Sequence, residues 1–489
     1  MIANRIKNVL GNNSEWKMLG QKINNKWEWT NRKQLKNKIN YCIDKLKDNN
    51  INQNDRVIYK GKNSVEWVSW NIATLSLGAV WVPIYHNQKD SYTNYIMNDC
   101  TPKLLISDDK TVIESQKCID NTIEDLNYDN DFEVIHNDIS TLIYTSGTTG
   151  NPKGVTLSHN NIVSNVDDLK SVFNDLKSEM TSLNILPWAH IYGLTTELYY
   201  NMFFDNKVAI SSGPDNFVKE CREIKPDALY LVPKVLESIK AKLSFLDKPI
   251  INNLTPFILK KLFGGNLITI FMGGAKLDDS TKSFYIYNGI NICEGYGCSE
   301  VSPMVSVNHI SFPRNTNSIG YILPNVEVEI VDSEIQVSGP NVMKGYWNNE
   351  EETNKIIVER NGKKWYKTGD SGYLDKNYLY YSGRISENYK LSNGKFVNVN
   401  NTESKIKKYL NNHFIIYGND KPYNILITDS KVNANIIKDI NNELDNYLKV
   451  EKVLQLDDNK FTDYLTPKMS IKRKLLISDF KKEIDNIYS

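Results

Sequence analysis

A glycine-rich decapeptide between two short apolar segments most constrains how this chain can fold. It spans residues 145–154 and reads T-S-G-T-T-G-N-P-K-G. The apolar residues 142–144 before it and 155–157 after it predict two buried strands. Because glycine lacks a Cβ, the backbone of the loop between them can approach another group closely. The sequence therefore predicts a strand–loop–strand unit whose backbone N–H groups face a ligand.

Hydroxyl groups and one cation accompany the glycines of this loop. The candidate ligands are Thr145, Ser146, Gly147, Thr148, Thr149, Gly150 and Lys153. Hydroxyl and backbone N–H groups donate hydrogen bonds to phosphate oxygens, and lysine adds a positive charge. The loop is not a Walker A motif, because Gly154 follows Lys153 where that motif needs serine or threonine. The alternative is an ordinary surface turn, since the same residue types dominate turns. The order of the residues favours a nucleotide phosphate site and hence an ATP-using enzyme.

Length and charge exclude some classes of partner. A chain of 489 residues is long enough for more than one domain, and its net charge of +1 gives no support for binding nucleic acid. Six cysteines without a C-x-x-C pair predict a reduced, cytoplasmic protein. The longest apolar run, 72–85, contains glycine and proline and is too short to span a bilayer. Peripheral membrane contact and oligomeric state are left open.

Strands and helices alternate over the first part of the chain. Segments 56–59, 80–85 and 103–107 predict strands, and Asn63 with Glu66 three residues later predicts the start of an intervening helix. Such alternation favours parallel sheets with helices on their faces. It continues to about residue 304. Beyond it, residues 318–381 predict a β-rich subdomain, and the lysine-rich tail mixes helix and strand.

A second glycine-containing element covers residues 292–303 and reads I-C-E-G-Y-G-C-S-E-V-S-P. Gly295 and Gly297 let the backbone pass close to a flat base, and Tyr296 can stack on that base. Ser299 offers a hydroxyl to a phosphate. Glu300 offers a hard oxygen ligand to Mg²⁺. A lone glutamate is more often a solvated surface acid, but beside the glycine-rich loop this element predicts a nucleotide site.

Two further segments carry candidate site residues. Gly273, Gly274 and Ala275 are small enough to form a wall against a ligand, or they form a close-packed turn at a sheet edge. His190 lies in P-W-A-H-I-Y-G-L, residues 187–194. A single histidine among apolar residues is more often structural. Its surroundings favour a role at the entrance for the substrate.

Together these motifs resemble the signatures of the adenylate-forming superfamily, which includes acyl-CoA synthetases, firefly-luciferase-like enzymes and peptide-synthetase adenylation domains. The resemblance implies that 145–154 holds pyrophosphate and that His190 borders the carboxylate substrate. In W-Y-K-T-G-D, residues 365–370, it implies that Asp370 binds both ribose hydroxyls. Arg384 is then the positive partner at the ribose and phosphate, next to the hinge, where Ser386 replaces the usual aspartate or lysine.

Segments 55–85, 318–346 and 389–397 are similar to the long-chain fatty acyl-CoA synthetases within this superfamily. The resemblance implies that Gly394 presents its backbone to coenzyme A. It also implies an α/β fold: a large N-terminal domain, 1–383, of two α/β sheet subdomains plus a β-rich subdomain, and a small mobile α+β C-terminal lid domain, 384–489.

The activity implied is the ATP- and Mg²⁺-dependent conversion of a long-chain fatty acid to acyl-AMP and then to acyl-CoA, with Thr145, His190 and a C-terminal lysine as catalytic residues. At the usual position of that lysine this chain has Ser470. Residues two apart in a strand share a face, and a loop would also let them approach the site, so Lys472, or second Lys468, is the candidate substitute. The alternative is slow or lost adenylation.

Three functions are therefore weighed. Acyl-CoA synthesis leads, because Gly394 belongs to the motif of the CoA-using branch. An acyl-AMP or acyl-carrier-protein ligase shares the first step. A degenerate nucleotide- or acyl-binding protein is favoured only by Ser470, and the intact elements 145–154, 295–300 and 366–370 oppose it.

Overall fold

The structure is a computed structural model that describes residues 1–107, 118–128, 130–145, 151–243, 254–309, 315–410, 413–465 and 471–489. Within these ranges the chain forms two compact units. The first contains residues 1–145, 151–328 and 337–366. The second contains residues 329–336 and 367–489. Helices and sheets occur in both, which confirms the predicted α/β class. The proposed boundary between residues 383 and 384 stays a prediction.

The strands are numbered in chain order. They are β1 Lys17–Ile23, β2 Lys26–Asn31, β3 Arg56–Gly61, β4 Val80–Tyr85, β5 Leu104–Ser107, β6 Cys118–Ile119, β7 Ile139–Thr145, β8 Lys153–Ser158, β9 Thr181–Asn184, β10 Lys207–Ile210, β11 Ala228–Leu231, β12 Thr269–Met272, β13 Ile292–Gly297, β14 Met304–Val307, β15 Tyr321–Ile322, β16 Glu327–Val331, β17 Glu334–Ser338, β18 Gly345–Tyr346, β19 Ile357–Arg360, β20 Lys363–Asp375, β21 Tyr378–Arg384, β22 Tyr389–Lys390, β23 Phe396–Val397, β24 Phe414–Tyr417, β25 Asn424–Thr428 and β26 Val450–Gln455.

The α-helices are α1 Ile2–Gly11, α2 Arg32–Asp48, α3 Val65–Ser76, α4 Asp90–Cys100, α5 His159–Val172, α6 Tyr200–Phe203, α7 Phe217–Ile224, α8 Pro233–Lys242, α9 Thr255–Leu262, α10 Asp279–Tyr287, α11 Glu350–Ile356, α12 Val399–Ile406, α13 Ala434–Asn442, α14 Arg473–Asp479 and α15 Lys481–Tyr488. A π-helix covers Tyr192–Tyr199. Short 3-10 turns cover Ser299–Val301, Ile385–Glu387, Asn446–Leu448 and Lys460–Tyr464.

The first unit is built on two sheets. In one, the strand order is β18-β8-β7-β4-β3-β5-β6, and β4, β3 and β5 run parallel to one another. In the other, the order is β15-β14-β13-β12-β11-β9-β10-β1-β2, and the central strands from β13 to β1 are parallel. Helices connect the parallel strands, as the alternating pattern predicts.

Helix α3 is buried on almost every side, as expected of a helix that is apolar all round. The Trp67 ring packs edge-on against Trp81 of β4, 5.1 Å between centroids, and against Trp188, 5.6 Å. The predicted helix start was one residue early. Ser64 caps α3 by accepting from the Trp67 N–H at 3.1 Å, and Asn63 instead donates to the Leu186 carbonyl.

The second unit contains several small groups of paired strands and a helical layer. Strands β20 and β21 are antiparallel, with Asp370 opposite Arg384. Strands β24, β25 and β26 form a three-stranded sheet. Helices α12 and α13 bury apolar residues with this sheet in one cluster, and α14 and α15 do so in another.

No helix in the described ranges is both long enough and apolar enough to cross a bilayer.

Candidate functional site

The predicted phosphate loop connects two antiparallel strands. β7 pairs with β8 and places Thr145 directly opposite Lys153. The predicted ligands Ser146, Gly147, Thr148, Thr149 and Gly150 lie outside the described residues. Gly154 lacks room for a side chain, because a Cβ there would lie 3.0 Å from the Tyr144 ring. The sheet therefore fixes the residues that flank the loop, and Lys153 is the first residue of strand β8.

Lys153 is paired with an acid that the sequence did not single out. Its ammonium forms an ion pair with Glu352 of α11 and lies 5.1 Å from the centroid of the Tyr346 ring. The hydrogen bond from Lys153, and a second from Lys355, lower the pKa of the Glu352 carboxyl to about 2. Glu352 is therefore a carboxylate over the whole physiological range, and it neutralises the positive charge of Lys153.

Glu300 lies in the 3-10 turn Ser299–Val301 that follows β13, and it is half-buried. The Tyr346 hydroxyl donates to Glu300 Oε1 at 2.9 Å. Burial, and next the charge of Glu300, raise the pKa of the Tyr346 hydroxyl, so it stays protonated as a donor. One tyrosine therefore contacts both the predicted phosphate cation Lys153 and the predicted metal ligand Glu300.

The acid at Glu300 fits only one kind of metal site. Among the described residues no cluster of three or more metal-ligating side chains occurs. Mg²⁺ in ATP-using enzymes is commonly held by one or two carboxylates together with the phosphates of the nucleotide. A single half-buried carboxylate beside the loop lysine fits a metal that arrives with ATP. It does not fit a metal bound in the absence of nucleotide.

The two predicted base-binding segments are neighbours. β12 and β13 are parallel with Met272 opposite Glu294, so Gly273 follows β12 next to Gly295. A Cβ on Gly273 would lie 3.0 Å from the Tyr192 ring. Gly274 and Ala275 are exposed, Gly295 and Tyr296 are half-exposed, and Ser299 is buried. The structure thus brings the two segments together as a single wall.

Gly297 is required by close packing at the end of this wall. A Cβ there would lie 1.7 Å from the carbonyl oxygen of Pro303, a backbone atom that cannot move aside like a side-chain tip. The chain therefore doubles back tightly between Gly297 and Met304, which pair across β13 and β14. This turn carries Glu300.

His190 is half-buried just before the π-helix Tyr192–Tyr199. Its Nδ1 accepts a hydrogen bond from the Tyr192 N–H at 3.1 Å, so in the neutral ring the proton is on Nε2. π-helices are rare and often occur at functional sites. Here the π-helix fixes the tautomer of His190 and turns Tyr192 toward Gly273.

An apolar cavity lies beside these segments. Tyr192, Met272 and Gly295 contribute to its wall. Its other lining residues are Leu169, Phe173, Thr196, Tyr200, Tyr230, Phe271, Cys293, Met304 and Val307. Residues from three predicted motifs therefore border one apolar space within the first unit.

The predicted ribose site lies in the second unit. Asp370 is 6% exposed, and its Oδ1 lies 3.0 Å from Arg384 Nε. Arg384 Nη1 also donates to the Thr368 carbonyl at 2.9 Å, and the Asp370 N–H donates to Thr368 Oγ1 at 3.0 Å. Asp370 and Arg384 therefore form an ion pair, and both are hydrogen-bonded to Thr368.

Two other predicted residues lie elsewhere in the second unit. Gly394 is exposed in the turn between β22 and β23 with φ +79°, a conformation that side chains other than glycine rarely adopt. Lys472 is exposed at the start of α14, and its N–H donates to the Tyr464 carbonyl at 2.7 Å. Lys468 and Ser470 lie outside the described residues. Lys472 thus immediately precedes helix α14, and its role at the site stays a prediction.

Comparison with known proteins decides the family. The profile described as "AMP-binding enzyme" matches residues 15–347. The chain belongs to the AMP-binding enzyme family. The long-chain-fatty-acid–CoA ligase FadD15 of Mycobacterium bovis is 24% identical over 550 aligned positions, which cover 90% of this chain and 89% of that protein. A long-chain-fatty-acid–CoA ligase of Bacillus subtilis is 32% identical over 50% of this chain and 43% of its own length.

A solved structure shares the fold of this AMP-binding enzyme. ATP-bound MatB from Rhodopseudomonas palustris superimposes with a TM-score of 0.82 over 100% of both chains, at 20% identity. At that identity the likeness shows the fold alone. The fold and the family of the adenylate-forming enzymes, both expected from the motifs, are therefore confirmed.

Sequence reasoning missed the residues that hold the wall of this AMP-binding enzyme in place. Glu294 is buried; its Oε1 accepts from the Leu277 N–H at 3.0 Å and its Oε2 from Lys282 Nζ at 2.7 Å. Lys282 also donates to the Thr316 carbonyl at 2.7 Å. The only available signal was an acid inside an otherwise apolar strand, next to Gly295.

Tyr346 and Glu352 were missed for a different reason. Tyr346 was read only as part of a segment typical of the long-chain branch, and Glu352 belongs to a run of three acids at a helix start. Acids in a first helical turn are ordinary, because they favour the helix dipole. Only the pairing of β18 with β8 brings both residues to Lys153.

Proposed function

We propose that this protein is an acid–CoA ligase that uses ATP to activate a long-chain fatty acid and transfers the acyl group to coenzyme A. One observation carries the proposal. Tyr192, which follows His190, and Gly295 of the nucleotide wall border the same apolar cavity. The apolar lining of this cavity supports a hydrocarbon group on an acid whose carboxylate must meet a nucleotide.

In the first step a carboxylate oxygen of the acid attacks the α-phosphorus of ATP. The bond from that phosphorus to the bridging oxygen breaks, and pyrophosphate leaves with its electron pair. Positioning and charge stabilisation supply most of the rate enhancement in such transfers. Lys153 and the loop hydroxyls would hold the leaving phosphates, Glu300 would hold Mg²⁺, and Mg²⁺ would neutralise phosphate charge.

In the second step the thiol sulfur of coenzyme A attacks the acyl carbon of acyl-AMP. The bond from that carbon to the phosphate oxygen breaks, AMP leaves, and the thiol proton passes to solvent. Asp370 and Arg384 would hold the ribose. Gly394 lacks a side chain and would therefore let the thiol arm of coenzyme A pass.

The relatives support the acid–CoA ligase assignment and favour a fatty acid. The names of the M. bovis and B. subtilis relatives specify long-chain fatty acids. The apolar lining supports a hydrocarbon group. An acyl-carrier-protein ligase with the same first step, and a nucleotide- or acyl-binding protein without turnover, are the alternatives.

Pyrophosphate release over a series of acids tests the proposal. Fatty acids of increasing length, an aromatic acid and a dicarboxylic acid are each supplied with ATP and Mg²⁺, with and without coenzyme A. We expect acid-dependent release and CoA-dependent formation of AMP. Acyl-AMP that accumulates unless a carrier protein is added would favour the second function, and nucleotide binding without release would favour the third.

The lysine of the first step needs its own comparison. Lys472 has a fixed backbone position, since the next residue, Arg473, forms ion pairs with Glu403 and, at 3.8 Å, with Glu387. We propose Lys472 as the lysine at the α-phosphate and Lys468 as the second candidate. Lys472→Ala should slow pyrophosphate release, whereas Lys474→Ala, an exposed lysine two residues later, should not. If neither Lys472→Ala nor Lys468→Ala slows an active enzyme, the substitution idea is wrong.

A further inference from the structure

The ion pair between Lys153 and Glu352 conflicts with the role expected of the lysine. A lysine that contacts ATP phosphates has to direct its ammonium at them, and here that ammonium is bound to a carboxylate. A carboxylate beside a polyphosphate repels it, because like charges a few ångströms apart cost energy in a partly buried site. The side chains of Lys153 and Glu352 are only 16% and 28% exposed, so solvent screens this repulsion incompletely.

The position of Glu352 is fixed by the fold. Strand β18 pairs with β8, and the Trp347 N–H donates to the Gly154 carbonyl at 2.7 Å. Asn349 caps α11 by accepting from the Glu352 N–H at 3.1 Å. The segment that carries the acid is therefore attached to the strand that carries Lys153, and the pair does not arise from a loose side chain.

Glu352 has a second partner already in place. Lys355, three residues later on α11, donates to Glu352 Oε1 at 2.7 Å and to Glu351 Oε1 at 2.7 Å. If Lys153 turns away, Glu352 keeps this partner and is not left as an unpaired charge. Loss of the Lys153 pair is then inexpensive, since partly exposed ion pairs contribute little net stability.

Lys153 likewise keeps a favourable contact when it leaves Glu352. Its ammonium lies 5.1 Å from the Tyr346 ring centroid, within the distance at which a cation is attracted to an aromatic face. The ring is held in turn by the hydrogen bond from its hydroxyl to Glu300. The ring therefore offers Lys153 a contact that does not depend on Glu352.

We propose that Glu352 is the counter-ion of Lys153 in the nucleotide-free protein and yields it to the phosphates of ATP, so that Glu352 sets nucleotide affinity. This rests on the proposed function. Glu352 is a positioning residue that acts through Lys153. It keeps the cation in place before ATP arrives, and each binding event exchanges one anion for another.

Binding of ATP and of inorganic pyrophosphate, measured calorimetrically on the full chain without acid, tests this exchange. Glu352→Gln removes the competing charge and should bind both anions about two- to fivefold more tightly, the range expected for a partly exposed ion pair. The gain should shrink at high salt, because screening weakens it. In turnover the change should appear in KM for ATP more than in kcat.

Glu351→Gln is the matched control. Glu351 is the preceding residue on α11 and forms an ion pair with Lys355. The substitution Glu351→Gln should leave the affinities for ATP and for pyrophosphate unchanged. Glu352→Asp keeps the charge and should return affinity toward that of the wild type. In a Lys153→Met background, Glu352→Gln should have no effect on affinity.

Several outcomes would overturn the exchange: weaker binding by Glu352→Gln, an equal effect of Glu351→Gln, a persistent effect without Lys153, or no pyrophosphate binding by the wild type. Failure of the proposed function gives a different result. In that case Glu352→Gln would still tighten pyrophosphate binding, but no acid would cause pyrophosphate release.

Discussion

The two ends of the candidate site in the first unit are built on opposite principles. At the phosphate end, Lys153, Glu352 and Glu300 are charged, partly exposed and joined through Tyr346. At the acid end, where the carboxylic acid substrate is proposed to lie, the cavity wall is apolar. Glu197, the one glutamate of the π-helix, is fully buried. The first end can exchange partners with an incoming anion. The second is shaped by packing and offers no charge to exchange.

The difference shows in how the two ends treat a carboxyl group. Glu352, paired with lysines, has its pKa lowered to about 2, whereas burial raises the pKa of Glu197 to about 8 against an opposing hydrogen bond from Asn184. One is an anion and the other a neutral acid at pH 7. Charge is therefore kept at the predicted phosphate end, around Lys153, and is suppressed at Glu197 near the apolar cavity.

The largest effect is expected at the phosphate end. Glu300→Gln removes the proposed Mg²⁺ ligand and should reduce acid-dependent pyrophosphate release on the order of a hundredfold, as loss of one electrostatic group at a transition state does. Glu327→Gln, an exposed acid paired with Lys363, is the control. An equal loss in the control, or no loss in Glu300→Gln, would remove Glu300 from the site.

At the acid end, Phe271→Ala should change which acid is preferred. The Phe271 ring packs against Tyr230, 4.9 Å between centroids, and Phe173, 5.0 Å, and all three border the cavity. The substitution should cost about 3–5 kcal/mol of stability. It should also raise kcat/KM for a longer acid about tenfold, relative to kcat/KM for the acid that the wild type prefers. Competition between two acids of different length measures the shift.

Phe263→Ala is the matched control for this prediction. Phe263 is buried in the core with Tyr285, 6.4 Å between ring centroids, and does not border the cavity. It should lose comparable stability and keep the acid preference of the wild type. A shift in both variants would mean that general loosening, and not cavity size, sets preference.

Glu197 makes stability depend on pH. Its folded pKa lies above the ordinary value, so between about pH 5 and pH 8 the folded state retains a proton that the unfolded state has lost, and stability falls as pH rises. Glu197→Gln stays neutral and should flatten this slope, gaining about 1–3 kcal/mol at pH 8 relative to pH 5. Urea unfolding at both pH values measures it.

The control for pH dependence is Glu220→Gln. Glu220 is also fully buried, but it accepts from Ser211 and Ser212 and lies 3.5 Å from Lys22. Loss of its charge should destabilise the protein at both pH values. If Glu197→Gln were equally destabilising at pH 8, the acid would be ionised in the fold and the contrast between the two ends would fail.

The smallest effect concerns the residue between the charges. Tyr346→Phe removes the hydroxyl that donates to Glu300 and keeps the ring beside Lys153. A carboxylate without this donor should bind Mg²⁺ more readily, so half-maximal activity should need about threefold less Mg²⁺, the effect of one modest hydrogen bond. Tyr373→Phe, at an exposed ring, should change nothing.

Much of the fold could be read from the sequence because it depends on local patterns. The buried strands β3, β4 and β5 and the end of α3 at a glycine with φ +67° all follow from apolar runs and turn residues. The error at Asn63 has a physical cause. Asn63 and Ser64 are both good caps, and only the contacts of Asn63 with Leu186 and Asn184 decide between them.

The candidate site likewise contains residues that the sequence predicts and residues that only the fold brings to them. Motifs whose candidate ligands are backbone groups or a single side chain, such as 295–300 and 365–370, are visible because their residues are contiguous. The partners of those residues come from distant segments: Glu352 lies 199 positions from Lys153, and Leu277 lies 17 from Glu294. Their residue types are ordinary for a helix start and a strand end, so no local pattern marks them.

The sequence by itself determined the family and the α/β class and predicted the positions of the phosphate, ribose and base segments, since each rests on residues adjacent in the chain. Only the tertiary structure decided that Lys153 is neutralised by Glu352, that Tyr346 joins it to Glu300, and that Glu197 lies buried beside an apolar cavity. Charge state and pairing depend on which distant groups meet and how much water is excluded, and the chain acquires both only when it folds.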